Sequence, residues 1–228
     1  MILTIYIIYG LVFIFTSQWA QIKLWSSSLG QKKHPITIIK NSKIQKLIRN
    51  KTGINIGTIK ILESNRLFAM MIGIPTKPQL IISRNLYETF SPDELEYVVL
   101  HEVAHYKFWH TVIELTVEIL LFVIGVFILN KFSHSYLSIP SAIILGLIFG
   151  VIMIRLGRIH EYQADNYARK HMTNPKGMID ATNKFRGYYG KNFTGNNHKI
   201  IEFLFYRGNP YDNRIAMAQK EITERMNQ

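Results

Sequence analysis

The sequence contains no cysteine, which excludes disulfides, thiolate zinc fingers and a cysteine nucleophile. Charged residues are also scarce: they make up 18% of the 228 residues, against about 25% in an average soluble domain. Hydrophobic residues make up 48%. This composition excludes a disordered tail protein, because too much apolar surface would stay exposed, and it argues against a purely soluble globule.

Acidic residues are the scarcer of the charged types, with 15 Asp and Glu against 27 Lys and Arg, so the formal net charge is +12. A balance this basic favours either nucleic acid or an anionic membrane surface as partner. Many of the basic residues lie between positions 23 and 51, directly after an apolar N-terminus. We therefore expect a lipid bilayer as partner and no nucleic acid.

Three apolar stretches are candidates for membrane helices. Residues 2–15 are uncharged and lack the basic start and small-residue cleavage site of a signal peptide, so we interpret them as a retained transmembrane helix. Residues 132–154 contain no Lys, Arg, Asp or Glu, and residues 112–129 carry only Glu114 and Glu118. Because carboxylates inside a bilayer are costly, we place both on a cytoplasmic extension of the preceding helix, with a substrate-facing role as the alternative. Whether 112–129 spans is left open. The pattern predicts about three transmembrane helices.

The distribution of positive charge predicts the orientation. The heavy Lys and Arg load follows the first apolar stretch, whereas the turn between the later two carries only Lys131. Basic loops stay in the cytoplasm. We therefore expect an integral cell membrane protein whose bulk, with any active site it carries, faces the cytoplasm.

The polar parts of the chain predict an α+β fold that is mainly helical, with a small sheet. Residues 44–50 have the pattern of a short amphipathic helix, and residues 54–62, 66–72 and 79–83 have the pattern of strands. The sequence SPDE at 91–94 is a capping box with proline at the first helical position, so a helix is expected from residue 92 beyond 105. Helices are also expected over 159–171 and 214–226, with a loop at 187–197.

The pentad HEVAH at 101–105 lies inside the predicted capped helix. Residues four apart share a helix face, so His101 and His105 can reach one metal ion. Zinc suits two neutral imidazoles and a carboxylate, with one position open to water. Because zinc lowers the pKa of bound water from about 15.7 to about 7, Glu102 can take the proton as general base.

The sequence EYQAD at 161–165 supplies candidates to complete that site. Glu161 can be the third ligand of one zinc ion per chain. Asp165 lies four residues on, shares the face of Glu161, and can accept a hydrogen bond that fixes a ligand imidazole. The alternative is a solvated acidic pair near Arg158 and Arg169.

HEVAH, a hydrophobic hairpin and EYQAD together resemble the membrane-integrated zinc metallopeptidases of family M48, the Ste24/HtpX type. Residues 66–110 are similar to that family's edge strand, turn, strand and capped active-site helix, and the likeness extends to residue 215. The resemblance implies a gluzincin-like catalytic domain. It implies zinc ligands at His101, His105 and Glu161, and a general base at Glu102.

The resemblance also implies supporting roles for Asp165 and for Arg214, near the site. Asn209 stands where the family has a histidine before proline, and that histidine is thought to stabilise the tetrahedral oxyanion. Asn209 supplies only an uncharged donor, and loss of an oxyanion donor costs about 10²–10³ in rate in a serine protease. His198 and Tyr211 are alternative donors.

A peptide substrate is expected to pair as an added strand with an exposed sheet edge beside the zinc. The candidates are Leu67, Phe68, Ala69 and Met70, whose extended, apolar pattern also fits an ordinary core strand.

We divide the chain into an N-terminal membrane helix (1–20), a basic segment with the first half of the peptidase domain (21–110), a membrane hairpin (111–157) and the second half of that domain (158–228). The expected function is a membrane-integrated zinc endopeptidase acting on membrane-associated or misfolded polypeptides. One alternative is an M56-like regulatory membrane metallopeptidase, which shares a similar HExxH helix. The other is a catalytically impaired zinc-bound scaffold. The sequence indicates no oligomeric state.

Overall fold

The computed structural model describes residues 3–15, 36–39, 42–72, 78–132, 138–189 and 207–227. The strands are β1 (Ile36–Ile39), β2 (Thr58–Leu62), β3 (Ala69–Ile72) and β4 (Gln79–Ser83). The helices are α1 (Leu3–Phe15), α2 (Ser42–Thr52), α3 (Arg84–Thr89), α4 (Pro92–Lys107), α5 (His110–Phe132), α6 (Ser138–His171), α7 (Lys176–Tyr189) and α8 (Tyr211–Met226). The expected class, mainly helical with a small sheet, is confirmed.

The chain divides into two compact units. The first contains Met1–Lys32, Thr111–Ile159 and Asn197–Gly208, and the second contains Lys33–His110, His160–Asn196 and Asn209–Gln228. Both HEVAH and EYQAD belong to the second unit.

Helices α5 and α6, whose residues 111–132 and 138–159 lie in the first unit, are long and apolar enough to cross a membrane, whereas α1 is apolar but shorter. Tyr9 of α1 is fully buried, and its hydroxyl donates to the Leu121 carbonyl at 2.8 Å. Gly125 makes room for that ring, since a Cβ atom there would lie 2.1 Å from the Tyr9 hydroxyl. The expectation of about three membrane helices therefore resolves into two candidate spans and one short apolar helix.

The sheet of the second unit has the order β1-β2-β4-β3, which leaves β3 at an edge. β2 pairs in parallel with β4, and the other two pairings are antiparallel. One face is hydrophobic and fully buried, through Ile59, Ile61, Leu80 and Ile82. These side chains share a core with Val99, Leu100 and Val103 of α4, so the helix that carries HEVAH is fixed against the sheet.

Helix α4 begins with the capping box that the sequence predicts at residues 91–94. The Ser91 hydroxyl accepts from the Glu94 backbone, and the Glu94 carboxylate accepts from the Ser91 N–H, with Pro92 in the first turn. The helix ends at Lys107, and Trp109 has a φ of 59°. A left-handed conformation costs about 1–2 kcal/mol in a non-glycine residue. α4 and α5 are therefore separate helices with a sharp break between them.

The structure corrects two local expectations. Glu114 and Glu118 are expected on an extension of the preceding helix, but α4 ends before them and both lie on α5. Glu114 forms an ion pair with Arg207, and each side chain is 19% exposed. Residues 187–189 are expected in a loop but form the end of α7, and 190–197 lie outside the described residues.

Candidate metal centre

His101, His105 and Glu161 converge in the second unit. The Nε2 atoms of the two histidines lie 3.2 Å apart. The Glu161 carboxylate reaches both rings, with Oε2 at 3.5 Å from His101 Nε2 and Oε1 at 3.5 Å from His105 Nε2. One ligand atom from each residue lies within 4.8 Å of the others. Helices that are remote in sequence, α4 and α6, thus bring three metal-ligating groups together.

These spacings fit a zinc ion. Two ligand atoms at about 2.0–2.1 Å from zinc in a tetrahedral arrangement lie about 3.3–3.4 Å from each other. The observed separations of 3.2 and 3.5 Å agree with that edge length. Two imidazoles and one carboxylate are also the donor set of catalytic zinc sites that keep a position for water.

Asp165 is fully buried and holds His101. Its Oδ1 atom lies 2.8 Å from His101 Nδ1 and accepts from the Tyr97 hydroxyl at 2.7 Å. Its Oδ2 atom accepts from Asn209 Nδ2 at 2.8 Å and from Arg214 Nε at 2.9 Å. Because a buried carboxylate is stable only when paired and hydrogen-bonded, these contacts fix its position and hence the orientation of the His101 ring.

Arg214 links this carboxylate to the third candidate ligand. Its Nε atom donates to Asp165, and its Nη2 atom donates to Glu161 Oε2 at 3.0 Å. The planar guanidinium presents donors in a rigid fork, so one side chain from α8 orients two carboxylates of α6.

The two candidate histidine ligands have opposite pKa shifts. Burial disfavours the charged form of His101, but Asp165 and Glu161 outweigh it and raise its pKa to about 10. Burial and the charge on His101 together lower the pKa of His105 to about 3. His105 is thus neutral at pH 7, whereas His101 keeps a proton that a metal ion must displace.

Glu102 is close enough to the candidate ligands and to Met71 of β3 for these groups to act on its carboxyl group. Burial raises the pKa of its carboxyl to about 7, although the charge on His101 opposes that rise. The carboxylate accepts a hydrogen bond from the backbone of Met71. Its pKa therefore suits both accepting and returning a proton near neutral pH.

Asn209 lies within the group that supports Asp165. It is 2% exposed, its amide nitrogen donates to Asp165, and its Oδ1 atom accepts from Asn213 Nδ2 at 3.2 Å. Both ends of the side chain are therefore engaged in contacts that hold Asp165 and α8. Of the alternative donors, His198 lies outside the described residues. Tyr211 is buried, with its ring centroid 5.7 Å from the Arg186 guanidinium.

The four candidate substrate-binding residues differ in whether their backbone groups are already hydrogen-bonded within the protein. Phe68 pairs with Ser83, since its N–H donates to Ser83 Oγ at 3.0 Å and its carbonyl accepts from the Ser83 N–H at 2.8 Å. Leu67 is buried, and its carbonyl accepts from the Tyr189 hydroxyl at 2.5 Å. Neither residue belongs to β3, which begins at Ala69.

Within β3, alternate residues present their backbone groups to opposite sides. Phe68 is bonded to Ser83, and Met70 is opposite Ile81 in the register, so both turn their backbone polar groups toward β4. Ala69 and Met71 then turn theirs toward the open edge. The contact from Met71 to Glu102 agrees with that assignment.

Three buried side chains of this site are absent from the sequence-based set: Tyr97, His110 and His160. Tyr97 lies four residues before His101, so helical spacing could have indicated it. His110 Nδ1 lies 3.0 Å from His105 Nδ1, and the His160 ring stacks on His110 at 4.1 Å. No spacing rule for a continuous helix indicates that pair.

Comparison with known proteins places the chain in a family. The model of peptidase family M48 matches residues 40–222. The chain belongs to peptidase family M48. The family resemblance drawn from HEVAH and EYQAD is thereby confirmed. M48 members are zinc metalloproteases, and this M48 chain contains a His/His/Glu group that could hold a metal ion.

Among solved structures, this M48 chain is similar to the crystal structure of Ste24p from S. mikatae. The TM-score is 0.64 and the sequence identity is 18%. The match covers 93% of this chain and 57% of that chain, so the protein spans little more than half the length of its structural relative. At this identity the likeness establishes the fold. No curated protein matches the sequence.

Proposed function

We propose that the protein is a membrane-integrated zinc endopeptidase. The observation that carries the proposal is the convergence of two imidazole Nε2 atoms and the Glu161 carboxylate at the spacing of a tetrahedral zinc site. Family membership supports the peptidase chemistry, and helices α5 and α6 support insertion into a membrane.

In this proposal His101, His105 and Glu161 hold one zinc ion. When bound, zinc lowers the pKa of water and polarises a carbonyl oxygen. Glu102 takes the proton of the attacking water and returns it to the leaving amine, for which a pKa of about 7 is well matched. Asp165 and Arg214 keep the ligands in place throughout.

The substrate is an extended polypeptide that adds a strand to β3. The backbone groups of Ala69 and Met71 supply its hydrogen-bonding partners. Because Met71 also contacts Glu102, a peptide on this edge passes beside the general base. The substrates are membrane-associated or misfolded polypeptides, and the basic segment at 23–51 favours an active site that faces the cytoplasm.

A zinc-bound scaffold without activity is the second candidate. The observation that favours it is Asn209, whose amide is committed to Asp165 and does not replace the family histidine as an oxyanion donor. The M56-like alternative lacks such support, since residues 40–222 match the M48 model.

One experiment separates the two candidates. The protein is purified in detergent, its zinc content is measured, and cleavage of an unstructured protein such as casein is followed before and after chelation. We expect one zinc per chain and cleavage that stops on chelation and returns with zinc. Stoichiometric zinc without cleavage would support the scaffold, and absence of zinc would contradict both.

A further inference from the structure

We propose that His110 is a positioning residue for His105: it holds the ligand imidazole through a relay that ends at Gln163. The inference rests on the proposed zinc site and adds to it the group that fixes the second histidine. Asp165 performs this task for His101, and in the described part of the chain the contact that His105 Nδ1 makes with a side chain is with His110.

The relay has two links of equal length. His105 Nδ1 lies 3.0 Å from His110 Nδ1, and His110 Nε2 lies 3.0 Å from Gln163 Oε1. The His110 side chain is buried, with 2% of the residue exposed. The two imidazoles meet at an interplanar angle of 78°, with centroids 4.9 Å apart. This arrangement points the Nδ1 edge of each ring at the other.

With a metal ion at His105 Nε2 and neutral rings, one assignment of protons satisfies both links. His105 turns Nε2 toward Glu161 and His101, so in the neutral ring a metal ion at Nε2 requires the proton on Nδ1. That N–H donates to His110 Nδ1, which must be unprotonated. The proton of neutral His110 is then on Nε2 and donates to the Gln163 amide oxygen. Each nitrogen has one role.

The break between α4 and α5 makes the contact possible. In a continuous helix, residues five apart point about 140° away from each other, so a His110 on an extended α4 would face away from His105. The positive φ of Trp109, at 59°, redirects the chain and returns the His110 ring to its neighbour. Strained backbone in a non-glycine residue often marks a functional constraint.

Helix α6 holds the His110 ring from two directions. The His160 ring stacks on it at 4.1 Å with an interplanar angle of 4°, and Gln163 accepts its N–H. Residues three apart share one helix face, so both contacts come from the same side of α6. The helix that carries the ligand Glu161 thus also fixes the support of His105.

The two histidine ligands are therefore supported differently. His101 is held by a buried carboxylate, which raises its basicity, whereas His105 is held by a neutral imidazole and amide. His110 sets the tautomer and the ring orientation of its ligand without adding charge to the site.

The test compares His110→Leu with His110→Asn. Both variants remove the ring, but the asparagine oxygen can still accept from His105 Nδ1. The readouts are the zinc dissociation constant, from competition with a chromophoric chelator, and the visible spectrum of the cobalt-substituted protein. We expect the leucine variant to bind zinc about 10–100-fold more weakly with an altered cobalt spectrum, and the asparagine variant to recover most of the affinity. His171→Leu, which changes a histidine at the end of α6 whose Nδ1 contacts the Tyr167 carbonyl, is the control.

Wild-type zinc affinity in His110→Leu would overturn the inference, and so would equal losses in the leucine and asparagine variants with unchanged unfolding of the zinc-free protein. If His110→Leu does not fold, Gln163→Leu tests the relay through its second link: weaker zinc binding supports the inference and unchanged binding overturns it. A wild-type protein that binds no zinc would instead contradict the proposed function.

Discussion

Asp165 Oδ1 lies 2.8 Å from Nδ1 of His101, and the same fully buried carboxylate accepts from Arg214 through Oδ2. One side chain thereby fixes a candidate zinc ligand and anchors α8 beside the site. The cluster would not keep its geometry without it, because carboxylate partners set the tautomer and orientation of ligand histidines.

We therefore expect Asp165→Asn to weaken zinc binding by about 10–100-fold. The variant keeps the shape of the side chain but removes the charge that pairs with Arg214, so the apparent melting temperature should also fall. Chelator competition measures the first effect and thermal unfolding in detergent measures the second. Asp180→Asn, which changes an exposed carboxylate on α7, should leave both unchanged. Equal zinc affinity in Asp165→Asn and wild type would contradict the role of Asp165.

Glu102→Gln should retain zinc and lose peptide cleavage by at least about 10²–10⁴-fold. Glutamine is close to glutamate in shape but cannot accept the proton of the attacking water. Zinc content and casein cleavage are measured on the same preparation, with Glu88→Gln as a control on an exposed carboxylate. Equal cleavage by Glu102→Gln and wild type would remove Glu102 from the mechanism.

Zinc binding should release one proton from the histidine ligands at pH 7. Zinc needs neutral imidazoles. In the zinc-free protein His105 is already neutral, with a pKa of about 3, whereas His101 is protonated, with a pKa of about 10. Raising the pH from 6 to 8 removes the competing proton, so the apparent affinity should rise by about tenfold per pH unit.

Calorimetry at pH 6, where water bound to zinc keeps its proton, in buffers of different ionisation enthalpy counts that proton. The Glu102→Gln protein is used, because the Glu102 carboxyl titrates near pH 7 and would add its own contribution. Release of two protons, or a zinc affinity that does not change with pH, would contradict the assigned protonation states.

Tyr189 should limit how far a substrate strand extends along the sheet edge. Its hydroxyl donates to the Leu67 carbonyl. This carbonyl is the next backbone acceptor along the open edge before Ala69, the first residue of β3. Tyr189→Ala frees this carbonyl, and one further hydrogen bond contributes about 1 kcal/mol, or roughly fivefold. We expect kcat/KM to rise by that factor only for peptides long enough to reach Leu67.

Peptides of increasing length measure this effect, with Tyr188→Phe as a control, since the Tyr188 hydroxyl contacts the Asn65 carbonyl instead. The same ratio of long-peptide to short-peptide kcat/KM in Tyr189→Ala and wild type would show that substrates do not use this edge.

Local signals account for the part of the site that the sequence predicts. The Ser91 capping box and the four-residue spacing of His101 and His105 act within one helix, so both survive in the structure. Glu161 is predictable because EYQAD lies on a second predicted helix after the apolar hairpin and supplies the carboxylate that completes a donor set of two histidines and one glutamate. The M48 match confirms the family that these residues suggest.

The remaining contacts depend on the backbone and on tertiary packing. The approach of His110 to His105 depends on the positive φ of Trp109, which no propensity rule assigns to tryptophan. The commitment of Asn209 to Asp165 depends on how α8 meets α6. The hydrogen bond from the Tyr189 hydroxyl to the Leu67 carbonyl links residues 122 positions apart. The sequence therefore does not indicate where the open edge of the sheet stops being available to a substrate strand.

The most direct test of the central claim is an anomalous-scattering map at the zinc absorption edge from the purified protein. We expect one peak about 2.0–2.2 Å from the Nε2 atoms of His101 and His105 and from a carboxylate oxygen of Glu161. A zinc peak elsewhere, or a zinc-loaded protein with no peak among these three side chains, would contradict the account.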